Sequence, residues 1–356
     1  MMLTEDDVIW CYRAILGRPP ESAAVVQSHV SSGKTFRTLV WTFLKSQEYR
    51  SKTSVPAFVP LDREEMDMDI TASSTDMRLL IDRVRNAWTH LGQVRPHYSV
   101  LTNRKYLPES LDAASIEDFY SSGVGEVSAI AAILRRFGKP EVGSQVCVEY
   151  GCGLGRVTVP LAKKFKSVHA YDISGNHLAL ARKRAFDAGV HNIEFHLCSA
   201  KVVIENLERC DVLYSRIVYQ HNPPPIIREL IGAALRSLRP GGIAIFQVPT
   251  YWGGYSFRIK EYLAQPAALD LEMHCIPQGV VLSIIAESHC KLLEIREDGS
   301  TGHSQAISNT FVVQRLAGRS RPWRWASDVA VAAHRIYQHF RRTVFTRRRK
   351  NAAISS

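Results

Sequence analysis

The chain has 356 residues, more than a single domain of usual size, and carries 46% hydrophobic residues and a formal net charge of +11. No apolar run approaches the roughly 20 residues that cross a bilayer, and the acidic start Met1–Asp7 is unlike a secretory leader. The seven cysteines form no C-x-x-C pair and are odd in number, which points to reduced thiols in a cytoplasmic protein and to no metal site.

Residues 1–50 read as a small all-α unit. Helical runs extend from Glu5 to Leu16, Ser22 to Ser31 and Thr35 to Ser46, punctuated by Pro19, Pro20 and Gly33. Tyr12-Arg13-Ala14-Ile15-Leu16-Gly17-Arg18-Pro19 and Phe43-Leu44-Lys45-Ser46-Gln47-Glu48-Tyr49 resemble a helical domain of unknown function related to phycobilisome linker repeats. That resemblance implies the company of glycan-processing and cell-surface proteins and says little about chemistry. Residues 51–75 are polar, acidic and proline-bearing, the composition of a linker.

Residues 76–141 lead into the following domain. Met77 to Leu91 is an amphipathic helix with Leu80, Ile81, Val84 and Trp88 along one side. His97–Val100 and Phe119–Gly123 are expected either to close over a ligand as a lid or to pack on a sheet.

A ligand loop starts behind Val146 and Val148, in Glu149-Tyr150-Gly151-Cys152-Gly153-Leu154-Gly155-Arg156. Glycine has no Cβ, so the backbone turns sharply there and a ligand can lie against it. Helical spacing resumes at Val157, Leu161, Ala162 and Phe165. A dinucleotide fingerprint needs its third glycine where Arg156 stands; here it comes one residue early, at Gly155. A second strand, Ser167–Asp172, ends in an acid 21 residues beyond Gly151 (172 − 151). Strands at Ile193–Leu197, Asp211–Ser215 and Ile243–Val248 alternate with helices at His177–Ala188 and Ile226–Leu238, with a turn at Arg239-Pro240-Gly241-Gly242. This alternation predicts right-handed crossovers and a parallel sheet. Lys291–Arg296 and Asn309–Gln314 complete it as an antiparallel edge pair.

These residues, within 142–318, resemble the class I S-adenosylmethionine-dependent methyltransferases. The resemblance implies a Rossmann-like α/β fold, with a seven-stranded, mostly parallel sheet and an antiparallel last strand. It implies S-adenosyl-L-methionine as cofactor, with Gly151 and Gly153 approaching the methionine part, Cys152 and Gly155 also in the cofactor-binding loop, Asp172 on the ribose, Ile173 on the adenine, and Glu149 orienting the loop or meeting the ligand's amino group. Many members carry an acid after the third strand, where this chain has Cys198-Ser199-Ala200, so Ser199 is the substitute candidate at the adenine. Arg216, at a strand end, is a candidate cofactor contact or a surface ion pair. His221 is the candidate catalytic base for a hydroxyl acceptor, or else it caps or lines the next helix.

Asn222-Pro223-Pro224-Pro225 lacks the aromatic ring of base-methylating N-P-P loops and suits a helix start. The aromatic, glycine-rich stretch from Tyr251 to His274 is expected to shape an acceptor pocket or fill core. Residues 319–356 hold ten Arg or Lys against the single acid Asp328, so the tail carries +9 and the remaining chain 11 − 9 = +2. Val329, Ala333, Ile336, Phe340 and Val344 give this tail an amphipathic helix. It would dock on the protein, lie on an anionic inner-membrane surface, or contact nucleic acid phosphates. The expected function is O-methylation of a sugar or glycan-linked acceptor. A small metabolite or RNA acceptor, and a non-catalytic cofactor-binding scaffold, are the alternatives.

Overall fold

A computed structural model of the chain describes residues 3–44, 46, 48–49, 65–198, 207–303 and 305–317. They fall into two units, divided between Arg63 and Glu64. In the first, helices α1 (Glu5–Leu16), α2 (Ala23–Val30) and α3 (Phe36–Leu44) enclose Val8, Cys11, Tyr12, Leu16, Val26, Leu39 and Phe43. Thr4 and Asp7 form a capping box at the start of α1, and Gly17 ends it at φ 65°.

The second unit runs β1 (Asp67–Met68), α4 (Ser74–Val94), α5 (Pro96–Val100), α6 (Ala113–Arg136), β2 (Val146–Tyr150), α7 (Thr158–Ala162), β3 (Ser167–Asp172), α8 (Gly175–Asp187) and β4 (Ile193–Leu197). It continues with β5 (Cys210–Ser215), α9 (Pro224–Ser237), β6 (Leu238–Trp252), β7 (Ser256–Phe257), α10 (Ile259–Ala264), α11 (Gln278–Glu287), β8 (Cys290–Glu297) and β9 (Ala306–Arg315). The seven-stranded sheet has the order β4-β3-β2-β5-β6-β9-β8. Its first five strands are parallel, and β9 pairs antiparallel with both β6 and β8. The expected mostly parallel, Rossmann-like sheet with a reversed last strand is therefore present.

Strands of such a sheet are buried on both faces, which is why β2, β5 and β6 read as continuous apolar runs. Val148, Leu213, Ala244 and Phe246 face one apolar layer, shared with Leu80, Val84, Ile227, Ile231 and Ile284 of α4, α9 and α11. Cys147, Val212, Ile243 and Ile245 face the other, with Val127, Ile130 and Leu134 of α6. The strand order reverses at β2, whose successors pair on opposite sides of it, and such a switch point opens a crevice at the strands' carboxyl ends.

Several boundaries differ from the sequence reading. Asp67 and Met68, expected within the linker, pair in parallel with Ser256 and Phe257, and Ser73 caps α4, so these residues belong to the second unit. Backbone pairing and a cap hydrogen bond outweigh their polar composition; residues 51–64 lie outside the described residues. The Arg239–Gly242 turn bulges from within β6, between the pairs Cys210–Leu238 and Val212–Ile243, with Gly241 at φ 76°. The same strand runs on to Trp252 because β9 is long enough to cover it. The basic tail, 319–356, lies outside the described residues. Among those described, no helix is long and apolar enough to cross a membrane.

Candidate functional site

At the switch point a cleft opens over the ends of β2, β3 and β5, the place where open α/β sheets bind their ligands. Its floor is the glycine loop. Gly151, Gly153 and Gly155 all take positive φ, at 79°, 53° and 77°, a region that L side chains rarely adopt. A Cβ on Gly151 would stand 2.2 Å from Val218, and one on Gly153 2.8 Å from Val100. Gly151 and Gly153 line the cleft, whereas Gly155 does not and instead lets α8 approach, with Ala181 3.3 Å from where a Cβ would be.

The loop is tied to β3 by hydrogen bonds. The amides of Gly151 and Cys152 donate to the Tyr171 carbonyl at 2.8 and 2.9 Å, and the Gly153 amide donates to Asp172 Oδ2 at 2.8 Å. Asp172 Oδ1 accepts from Ser174 N at 2.8 Å and lies 3.7 Å from His177 Nδ1. Asp172 is 7% exposed and lines the cleft beside Ile173. Its two oxygens keep unused lone pairs, since a carboxylate accepts about four hydrogen bonds.

Glu149 is 4% exposed and its Oε2 has no hydrogen-bond partner. Burial pushes its pKa up to about 8, with the neighbouring carboxylates of Glu126 and Asp172 adding to the rise. A buried, unpaired acceptor on the wall of a cleft is costly unless a ligand satisfies it, and a ligand ammonium group would do so. Burial also drives the Cys152 thiol far above its ordinary range, which makes it an inert part of the wall.

On the opposite wall only Arg216 was a candidate in the sequence; Glu126, Arg156 and Tyr214 were not. Glu126 of α6 receives Arg156 Nη2 at 2.6 Å and the Tyr214 hydroxyl, and Arg216 Nη1 lies 3.5 Å away. Arg156 and Glu126 side chains are each about 10% exposed. All four residues line the cleft, so Arg216 faces the site and forms an ion pair at once. Burial, followed by the Glu126 charge, holds the Tyr214 hydroxyl protonated well above its usual range. Ile217, also in the lining, sits at φ 57°, a strained conformation for a β-branched residue. Its amide is held by Gln247 Oε1 at 2.8 Å, and Gln247 Nε2 donates to Gln220 Oε1 and Ser308 Oγ at 3.0 and 2.6 Å.

Of the lid candidates, Ser99 and Val100 of α5 do line the cleft, with Val84 and Trp88 of α4. Phe119 instead packs in a buried cluster with Tyr106 and Leu154. The stretch 251–274 contributes nothing to the lining. Tyr262 and Gln265 give their carbonyls to Arg83 Nη1 at 2.7 and 2.9 Å, and Tyr255 and Phe257 pack around His274.

His221, the expected base, does not line the cleft either, although its neighbours Val218 and Asn222 do. Its Nδ1 donates to the Glu272 carbonyl at 2.8 Å, its Nε2 lies 3.4 Å from Gln220 Nε2, and its ring meets Trp88 at 5.3 Å between centroids. Burial lowers its pKa to about 4, so the ring is neutral and a weak base. The short turn Tyr219–His221 directs the ring inward. Ser199 lies outside the described residues.

The glycine loop, the acid-ended β3 and the switch-point cleft define a nucleotide-type ligand site on a Rossmann-like sheet. Residues 147–242 match the Methyltransferase domain family, which bears out the expected S-adenosylmethionine-dependent methyltransferase domain and its cofactor. Over 137 residues the chain is 30% identical to phosphoethanolamine N-methyltransferase 2 of Caenorhabditis elegans, covering 38% of this chain and 31% of that protein. It is 26% identical over 137 residues to the ubiquinone biosynthesis O-methyltransferase of Hydrogenovibrio crunogenus, covering 38% and 53%. The chain thus spans between about a third and a half of the length of these curated relatives. Among solved structures, magnesium protoporphyrin IX methyltransferase from Synechocystis aligns with 63% of this chain and 98% of its own, at 16% identity and a TM-score of 0.43.

Proposed function

We propose that this chain transfers a methyl group from S-adenosylmethionine to an oxygen of a small acceptor, a sugar or a glycan-linked hydroxyl. The observation that carries the cofactor part is the pairing, in one cleft, of Asp172 at the end of β3 with the unpartnered Glu149 Oε2 at the end of β2. Asp172 would accept from the ribose hydroxyls, Glu149 would meet the amino group of the methionine part, and Ile173 would pack on the base. Gly151 and Gly153 would give the ligand close access to the backbone, and Cys152 would wall the methionine part. The bound cofactor supplies an electrophilic sulfonium methyl group, so the protein's own work is alignment and exclusion of water.

Arg216 and Arg156, tethered by Glu126, set the polar rim of the cleft. Trp88, Val84 and Val100 give it an apolar side. His221 serves as a positioning residue, holding Trp88 and the Val218–Asn222 turn through its ring contact and its bond to Glu272.

Support for a glycan-linked acceptor comes from the resemblance of the first unit to modules attached to glycan-processing proteins. The relatives' names span nitrogen and oxygen acceptors and leave the nucleophile open. Incubation with labelled methyl donor and a panel of fractionated glycans, free sugars, quinol precursors and amino alcohols tests the reading. Label entering the sugar fractions supports it; label entering only the amino alcohols or quinols overturns the acceptor assignment. No turnover on any, with cofactor bound, would favour a non-catalytic scaffold.

A further inference from the structure

Away from the cleft, at the β4 edge of the sheet, three metal-ligating side chains converge. His169 of β3 stands opposite Glu194 of β4, and Tyr171 opposite His196, in parallel register. Alternation along both strands puts all four side chains on one face. His169 Nδ1 is 3.2 Å from His196 Nε2, Glu194 Oε2 is 3.4 Å from His169 Nδ1, and Glu194 Oε1 is 3.7 Å from His196 Nε2. None of the three residues lines the cofactor cleft.

We propose that His169, Glu194 and His196 form a binding site for a zinc-class divalent cation, separate from the methyl-transfer site. Bonds of about 2.0–2.2 Å from nitrogen and oxygen to a tetrahedral ion place the ligand atoms about 3.3–3.5 Å apart. The two nitrogens stand near that value, each histidine is 3.4 or 3.7 Å from a different oxygen of Glu194, and one ligand atom from each residue lies within 4.8 Å of the others, so an ion fits once the carboxylate turns one oxygen toward both rings. Imidazole nitrogens with a carboxylate suit zinc, nickel, copper or cobalt rather than magnesium or calcium. As a simple hydrogen-bonded pair the two rings can share only one proton between facing nitrogens, whereas a cation takes a lone pair from each.

The rings are also ordered before any ion arrives. His196 stacks on Tyr171 at 4.4 Å between centroids and 14° between planes, and His169 stacks on His196 at 5.4 Å and 27°. The histidine side chains are 17% and 22% exposed, while Glu194 is 66% exposed. The site is therefore half embedded in the sheet and reachable from solvent. Three protein ligands leave a fourth position for water or another donor, the open arrangement of an exchangeable ion.

Such an ion would staple the edge strand to its neighbour. β4 ends at Leu197, and the next amide, Cys198 N, donates to the Asp172 carbonyl at 2.8 Å. A brace three residues before Asp172 on one strand, and two before Cys198 on the other, thus supports the same strand ends that carry the ribose acid. The buried cysteines offered no zinc pattern in the sequence, and these three residues become neighbours only through strand pairing.

Cobalt(II) and zinc(II) titrations of the untagged full chain, followed by visible absorption and by competition with a chromophoric chelator, test the proposal. Expected are about one equivalent of ion per chain, a ligand-field spectrum without sulfur charge-transfer bands, and no competition from magnesium. His196→Gln, His169→Gln and the more exposed Glu194→Gln should each weaken binding at least tenfold while circular dichroism stays that of the wild type. Zinc should raise the melting temperature of the wild type and not of these variants. Absence of a stoichiometric ion, wild-type affinity in a folded His169→Gln/His196→Gln chain, or a thiolate spectrum would overturn it.

Discussion

Gly153 gives its backbone amide to Asp172 Oδ2 at 2.8 Å, so the glycine loop and the acid that ends β3 are one hydrogen-bonded unit. The second carboxylate oxygen holds Ser174 N at 2.8 Å, the residue that caps α8. Asp172→Ala should cost about 2–4 kcal/mol of stability, because two largely buried amides lose a charged acceptor. Asp172→Asn should cost about half as much, since it keeps one oxygen. Urea denaturation of the two variants beside the wild type checks the order; equal stability of all three would contradict it.

Glu149 predicts a pH dependence with a definite sign. Its folded pKa of about 8 lies above that of the unfolded chain, near 4.5. Between those values the folded state binds the extra proton, so this group's contribution is fully present below pH 4.5. It falls by about 1.4 kcal/mol per pH unit as pH rises toward 8. Glu149→Gln should remove that slope and leave the variant more stable than the wild type at pH 8 and above. Unfolding free energies measured from pH 5 to 9 test it; parallel curves would show that Glu149 titrates normally.

His221 has the opposite sign. Its folded pKa of about 4 lies below the ordinary 6.5, so stability is full above pH 6.5 and is lost as pH falls toward 4. His221→Asn should flatten that acid limb. His221→Ala should lower kcat and also weaken cofactor binding, because Trp88 and Val218, which it holds, line the cleft. Unchanged kcat would remove His221 from the account of turnover.

Gln247 joins the strained Ile217 to the core of the sheet. Gln247→Leu would strand the Ile217 amide and Gln220 Oε1, at about 1–3 kcal/mol for each buried group left unpaired. The lost stability should come with weaker cofactor binding, because Ile217 and Val218 line the cleft. Thermal unfolding with and without cofactor measures both effects; full retention of affinity in a destabilised variant would separate Gln247 from the site.

Much of this architecture was legible because it is local. β3 and β4 have the bounds that the sequence predicts, and Gly151, Gly153 and Asp172, singled out by their spacing, all line the cleft. What escaped the sequence is built from residues far apart along it. Glu126 and Arg156 meet across 30 positions, and Gln247 and Ser308 across 61. Polar residues on a long amphipathic helix such as α6 give no sign of which one turns inward. The two readings of His221 stayed open in the sequence for a related reason: being next to a strand end does not say which way a turn points a ring. The Tyr251–His274 aromatics suited a pocket or a core by composition; Tyr262 meets Arg83 of α4, and Phe257 packs on His274.

The central claim is that Asp172 and Glu149 jointly hold S-adenosylmethionine. Calorimetric titration of the cofactor into the wild-type chain and into folded Asp172→Ala and Glu149→Gln variants tests it most directly. The account predicts micromolar wild-type affinity and a loss of about tenfold or more in each variant, about 1.4 kcal/mol apiece. Wild-type affinity in both folded variants would contradict it.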